Sequence, residues 1–469
     1  MNQQEKFDKL FRENPHPVKP FFARPHLSRR RFMNIAGAGV TASWIASKMS
    51  GSTVITSTPV NAINTAKNVI YILLAGAPSH TDTFDLKVVP GTTPTSFNPT
   101  TTNGVMFPNG LMPKLATHMA DFALVRSMQP WALVHSLAQT WTQIGRNPAG
   151  VLGNVSPNIG TVVAIEKDPE RTVNQVFPTF LALNSASAAG PGYMAASYAP
   201  FKVTPATTGL KNTSNPDGQT RFNERWDFLH HLDDPLRGGA SPDGSAMDDY
   251  DQFYTAAKGM MYNPIVNSAF AYSAAESTAY GATSFGNACV IAKHVIAANQ
   301  GTRYIEITLG GWDMHQNIYS ANQLPALAKQ LDDGLSQLIA DLKASGDFAN
   351  TMIVMAGEFG RTTGKLTAAA GRDHLAQQFA FFAGAGVKGG TVIGSTDSTG
   401  SNVVDYGWSR QRAVKPEDIE ATIYSAMGIN WTTVRYDDPL GRGFYYVPNS
   451  DQDVYGPINE LWPTVAAAS

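Results

Sequence analysis

The sequence predicts an α/β fold with a mostly parallel central sheet and helices on both faces. Three observations carry this. Largely apolar runs of four to eight residues recur, as in strands buried on both sides. Helical segments with one apolar stripe lie between them, and glycines close the runs.

The first run, at 68–75, ends in Gly76. Further runs follow at 122–125, 179–183, 304–309, 351–355 and 379–382. Between them, Leu327, Leu331, Leu335, Leu338 and Leu342 form one stripe at helical spacing. A second helix is expected over 287–300, stopped by Gly301. A third opens at Pro416, with Glu417 and Asp418 in its first turn, and closes at Gly428. The stretches 91–109 and 204–244 are rich in Thr, Pro, Gly and Asp and read as long loop insertions in one domain.

Composition excludes several classes. A net charge of -2 with 15% charged residues and no basic run argues against nucleic acid as a partner. Cys289 is the only cysteine, which excludes an internal disulfide and a thiolate metal cluster. Its apolar neighbours predict a buried structural thiol.

Near the start, Ser28-Arg29-Arg30-Arg31-Phe32-Met33 precedes a mild apolar stretch over 35–46. The pattern reads as a twin-arginine export signal, with a basic turn before an ordinary helix as the alternative. The stretch is shorter than the ~20 apolar residues that span a bilayer, and no later one is better, so no stable membrane span is expected in the mature chain. Val60-Asn61-Ala62 resembles a cleavage site, giving a signal segment at 1–62 and one domain at 63–469. The expected partner is the twin-arginine translocase, and the expected location is the periplasm or the exterior.

Strand after strand leads into Gly and then polar groups. The first reaches Ser79, His80, Asp82 and Asp85, and the fourth Asp313 and His315; the fifth reaches Glu358 and Arg361, and Arg372-Asp373-His374 comes soon after. Ligands of open parallel sheets bind beyond the carboxyl ends of the strands, so these loops can share one crevice. Carboxylates with imidazoles suit a divalent cation such as zinc, manganese or iron. Metal ligands are therefore expected among Asp82, Asp313, His315, Glu358, Asp373 and His374. Each also has a structural reading: a helix cap for Asp82, a tight turn for Asp313 and His315, an ion pair for Glu358 with Arg361, a surface turn for Asp373 and His374.

These segments, with Arg126-Ser127-Met128, His135, Glu276, Tyr280-Gly281 and Gly311-Trp312-Asp313-Met314-His315, resemble the bacterial family known as domain of unknown function 1501. That family is distantly related to alkaline phosphatases and arylsulfatases. The resemblance implies an alkaline-phosphatase-like fold and metal-assisted hydrolysis of an anionic phosphate or sulfate ester by a side-chain nucleophile. His135 occupies the register of the sulfatase nucleophile, with Gln139 where an arginine is usual. No Cys-x-Pro-x-Arg or Ser-x-Pro-x-Arg occurs, which argues against formylglycine chemistry. Gly76-Ala77 replace the usual paired acids of the first strand end, Phe359 stands where a ligand is usual, and Gln129 replaces a common histidine.

The expected catalytic residues are His135, as nucleophile, acid–base or ligand, with Ser79 as alternative nucleophile and Arg361 and Arg372 on anionic oxygens. The competing expectation is a secreted binding or assembly protein on a decayed catalytic fold. A phosphomutase is a third reading, poorly matched to export.

Overall fold

The structure is a computed structural model that describes residues 54–234 and 245–463. The twin-arginine motif read at 28–33 and the apolar stretch at 35–46 lie outside the described residues. Eight strands form the central sheet: β1 (Asn68–Ala75), β2 (Phe122–Met128), β3 (Phe180–Leu183), β4 (Phe201–Val203), β5 (Tyr304–Gly310), β6 (Thr351–Gly357), β7 (Gln378–Ala383) and β8 (Val392–Ile393). Their order is β8-β2-β7-β6-β1-β5-β3-β4. Every neighbouring pair is parallel except those made by β7, which runs against both β2 and β6.

The largely apolar runs have a direct cause. Along β1, Ile70, Ile72 and Leu74 enter one core layer and Val69, Tyr71 and Leu73 the other, all fully buried. Helices α1 (His135–Ile144), α2 (Ile159–Lys167), α3 (Ser284–Ala298), α4 (Leu324–Ser345) and α5 (Pro416–Ala426) surround the sheet. α3 and α4 fill the first layer, α2 and α5 the second. Leu331, Leu335, Leu338 and Leu342 of the α4 stripe are completely buried, each worth roughly 1.5–3 kcal/mol in transfer terms; Leu327 packs at their margin. Cys289 of α3 is buried as expected, and burial pushes its thiol pKa up.

Local signals set the helix ends. Thr283 caps α3 by accepting from the Gly286 N–H at 3.0 Å. The helix ends at Asn299, in the left-handed region at φ 48°, earlier than Gly301. Pro416 opens α5, where Asp418 accepts from the Lys415 N–H at 2.9 Å.

Two expectations change. The 91–109 stretch contains a hairpin, Pro99–Thr102 paired with Val105–Pro108, and 204–244 contains the helix Gln219–Asp233. That helix buries none of its residues, so its sequence lacks the strong apolar face that marks α4. The second difference concerns where the folded unit starts. Ile55–Thr56 pairs antiparallel with Val434–Arg435, and Thr58 is bonded to Thr432, all upstream of the 60–62 cleavage pattern. Among the described residues no helix is long and apolar enough to cross a membrane.

Candidate metal centre

Five adjacent strands, β2, β7, β6, β1 and β5, bring their loops to one edge. β2, β6, β1 and β5 contribute the loops beyond their carboxyl ends. β7 is antiparallel, so it contributes the loop that precedes it, with Arg372, Asp373 and His374. The strand reversal explains how a loop before a strand joins four loops after strands.

Close backbone approach fixes the loops. Gly76 sits at φ 108°, and a Cβ there would lie 2.6 Å from the Asp313 N–H nitrogen. A Cβ on Gly371 would collide with the His315 carbonyl. These two glycines press the β1 and β7 loops against the β5 loop.

The result is a cluster of four: His135, Asp313, His315 and His374, each offering one ligand atom within 4.8 Å of the others. His135 Nε2 lies 3.1 Å from His374 Nε2 and 3.3 Å from Asp313 Oδ1; His315 Nε2 lies 2.9 Å from the same oxygen. The opposite nitrogen of every ring faces an acceptor. His135 Nδ1 meets Glu358 Oε1 at 2.8 Å, His315 Nδ1 meets Asp373 Oδ1 at 2.9 Å, and His374 Nδ1 meets the Leu133 carbonyl at 2.8 Å. Acceptors at Nδ1 favour a proton there, Asp313 Oδ1 competes for one at Nε2 of His135 and His315, and in all three rings Nε2 is the atom directed into the cluster.

Glu358 is buried and also accepts from the Gly76 N–H at 2.8 Å; among the described residues its Oε2 has no partner. The Phe359 ring lies 4.7 Å from His135 and 4.5 Å from His374, forming an apolar floor under both imidazoles. Burial pushes the Asp313 carboxyl up, but hydrogen bonding and charge from Arg361, aided by His135 and His315, leave it below its ordinary value. Burial also holds His374 below the usual imidazole range, opposed by Leu133 and reinforced by Arg361 and the neighbouring rings.

The structure places the expected residues unequally. Glu358 and Asp373, expected as ligands, meet Nδ1 of His135 and His315 and lie outside the cluster of four. His135, expected first as a nucleophile, has its Nε2 turned toward His374. Asp82 is fully buried and bonded to Arg372 at 2.6 Å, Ser79 at 2.6 Å and Tyr319 at 2.8 Å, so its oxygens are taken. Ser79 is buried and donates to Asp82, leaving no free hydroxyl for attack.

Nor do the arginines have donors for a substrate. Arg361 directs its five N–H groups to the Ala77, Gly76 and Arg372 carbonyls, Asp313 Oδ1 and His315 Nε2. Arg372 directs its own to Asp82 twice, Tyr319 and the Thr362 and Gly364 carbonyls. Both hold loops in place. The Leu133 carbonyl and the Tyr319 hydroxyl were missed: a backbone acceptor has no signature in side-chain type, and one tyrosine among 16 gives no spacing clue.

No curated protein sequence matches this chain. Similar solved structures include a lipoteichoic acid synthase from Listeria monocytogenes, at 12% identity and TM-score 0.37, covering 83% of this chain and 78% of that one. Another is a sulfatase from a Pseudoalteromonas species, at 12% identity and TM-score 0.36, covering 78% and 68%. A third is a phosphonate monoester hydrolase of Agrobacterium radiobacter, at 10% identity and TM-score 0.36, covering 77% and 74%. Likenesses at this level bear on no activity. The family model described as "Protein of unknown function (DUF1501)" matches residues 66–452, and the chain belongs to that family.

Proposed function

We propose that the protein is an exported, metal-dependent hydrolase of phosphate or sulfate esters. The supporting observation is the facing pair of His135 Nε2 and His374 Nε2, 3.1 Å apart, with Nδ1 of each ring against an acceptor. Two lone pairs at that distance repel, and a shared cation removes the repulsion. The donor set of three imidazoles and one carboxylate oxygen fits a divalent cation such as zinc, manganese or iron. His135, Asp313, His315 and His374 would hold it; when bound, the ion supplies positive charge for the oxygens of an anionic ester.

The remaining residues orient this set. Glu358 and Asp373 keep the protons of His135 and His315 on Nδ1. Arg361 fixes Asp313 and ties the β5 loop to the β1 loop. Phe359 excludes water beneath the rings. With Ser79 enclosed and His135 turned inward, water is the nucleophile this reading assigns. Export rests on the 28–33 motif and puts the protein in the periplasm or outside the cell. Arg29→Lys with Arg30→Lys should abolish its appearance there, measured by cell fractionation.

One observation favours the alternative of a binding protein on a decayed site. The buried Arg361 already places positive charge against Asp313 at 2.6 Å and His315 at 3.2 Å. Hydrolysis of a panel of aryl phosphates and aryl sulfates by full-length protein supplied with zinc or manganese separates the two. The hydrolase reading expects turnover that a chelator stops and that His374→Ala lowers at least ~100-fold in kcat/KM. No turnover of any ester, or turnover indifferent to both treatments, contradicts it.

A further inference from the structure

The opposite end of the sheet holds a second cleft, of about 310 Å³, at the lower limit of ligand-pocket sizes. Its lining includes Asn64, Lys67, Lys167, Glu170, Arg303 and Asn350. Lys67, Arg303 and Asn350 immediately precede β1, β5 and β6, three adjacent parallel strands. The shared direction of these strands places the three residues side by side at the amino edge.

Arg303 is the informative residue. It is 7% exposed, and among the described residues its guanidinium makes one hydrogen bond, from Nη1 to the Thr302 carbonyl at 2.9 Å. Four N–H groups are left without a protein acceptor, whereas Arg361 and Arg372 fill all five. Lys67 forms no ion pair among the described residues. Lys167 is paired with Glu170 at 2.8 Å. Glu170 is the single carboxylate of the lining, and its charge reaches Arg303 without a direct contact. Three cations against one carboxylate leave two positive charges. The unfilled donors of Arg303 reach the solvent of the cleft, where an anion can replace water on them.

We propose that this cleft binds a phosphate dianion, either free or as the monoester group of a small molecule. Arg303 donates two parallel hydrogen bonds, and Lys67 supplies a point charge. Glu170 bears on free phosphate alone: hydrogen phosphate carries a proton to donate to a carboxylate, whereas sulfate and a monoester dianion carry none. The site is distinct from the histidine cluster, at the other end of β1, β5 and β6.

Isothermal titration calorimetry on the full chain, with chelator present, tests this using inorganic phosphate, glycerol phosphate and sulfate at matched ionic strength. Saturable binding of phosphate or of the monoester is expected, with free phosphate at least ~10-fold tighter than sulfate; which of the two binds tells the source of the dianion. Arg303→Gln should weaken binding ~10-fold or more. Lys67→Ala, an exposed substitution outside the strands, should weaken it severalfold and serves if Arg303→Gln does not fold. His374→Ala should leave binding unchanged. No saturable binding of either phosphate ligand, sulfate binding as tightly as phosphate, equal binding in wild type and the cleft variants, or loss in His374→Ala would overturn the assignment.

Discussion

Two polar clusters sit at the same edge of the sheet, and they are built oppositely. Ser79, Asp82, Tyr319 and Arg372 form a closed set in which each carboxylate oxygen and each guanidinium N–H has a partner. His135, Asp313, His315 and His374 form an open set, partly exposed, with ring nitrogens facing one another. Residue type does not separate them, since both contain an acid and a base at a strand end. Satisfaction does: the closed set spends its hydrogen-bonding capacity on the fold, and the open set retains capacity for a cation.

The comparison breaks most sharply at Asp82. Asp82→Asn leaves the buried Arg372 without its counter-charge and should cost about 3–5 kcal/mol of stability, read as a fall in chemical-denaturation midpoint. His374→Ala should instead leave stability in chelator within about 1 kcal/mol of wild type, while removing metal binding. If both substitutions destabilise alike, the two clusters do not differ as described.

Smaller effects sharpen the open set. Glu358→Gln should weaken metal affinity about 10–100-fold, because a buried acceptor at His135 Nδ1 is replaced by a weaker one. Asp373→Asn should weaken it less, since the Asp373 side chain is 63% exposed and water can replace it. Competition with a chromophoric chelator measures both. Affinity should also fall on acidification, because His374 must shed its proton to bind, and burial with the Arg361 charge holds that protonation below the usual imidazole range.

The smallest effect lies away from both clusters. Burial pushes Glu306 up to about 7, with Asn158 and Lys202 pulling it back. The folded state therefore keeps a proton that the unfolded chain loses near pH 4.3, so this residue's contribution to stability declines as pH rises from about 4.3 to about 7. Glu306→Gln should flatten that part of the stability–pH curve and raise stability at pH 7 relative to wild type more than at pH 4.5.

The fold was readable because burial on both faces of a parallel sheet leaves largely apolar runs, and six of the eight strands carry one. The short edge strands β4 and β8 carry none, and the reversal of β7 leaves no trace in composition. At the site, sequence nominated the right loops, because strand ends in such sheets converge. It did not rank the residues within them. Asp82 and Asp313 look alike in sequence; only the fold shows that one meets Arg372 and Tyr319 in the interior and the other meets three histidines at the rim. Glu358 and Asp373 show a related limit: a carboxylate near a histidine is either a ligand or the partner of the ring's far nitrogen, and spacing does not say which.

Metal content tests the central claim most directly. Full-length wild type and His374→Ala, purified without chelator and dialysed at pH 7.5, are compared by inductively coupled plasma mass spectrometry. The account predicts about one tightly held divalent ion per wild-type chain and less than about a tenth of that in the variant. A metal-free wild type, or equal metal in both proteins, would contradict it.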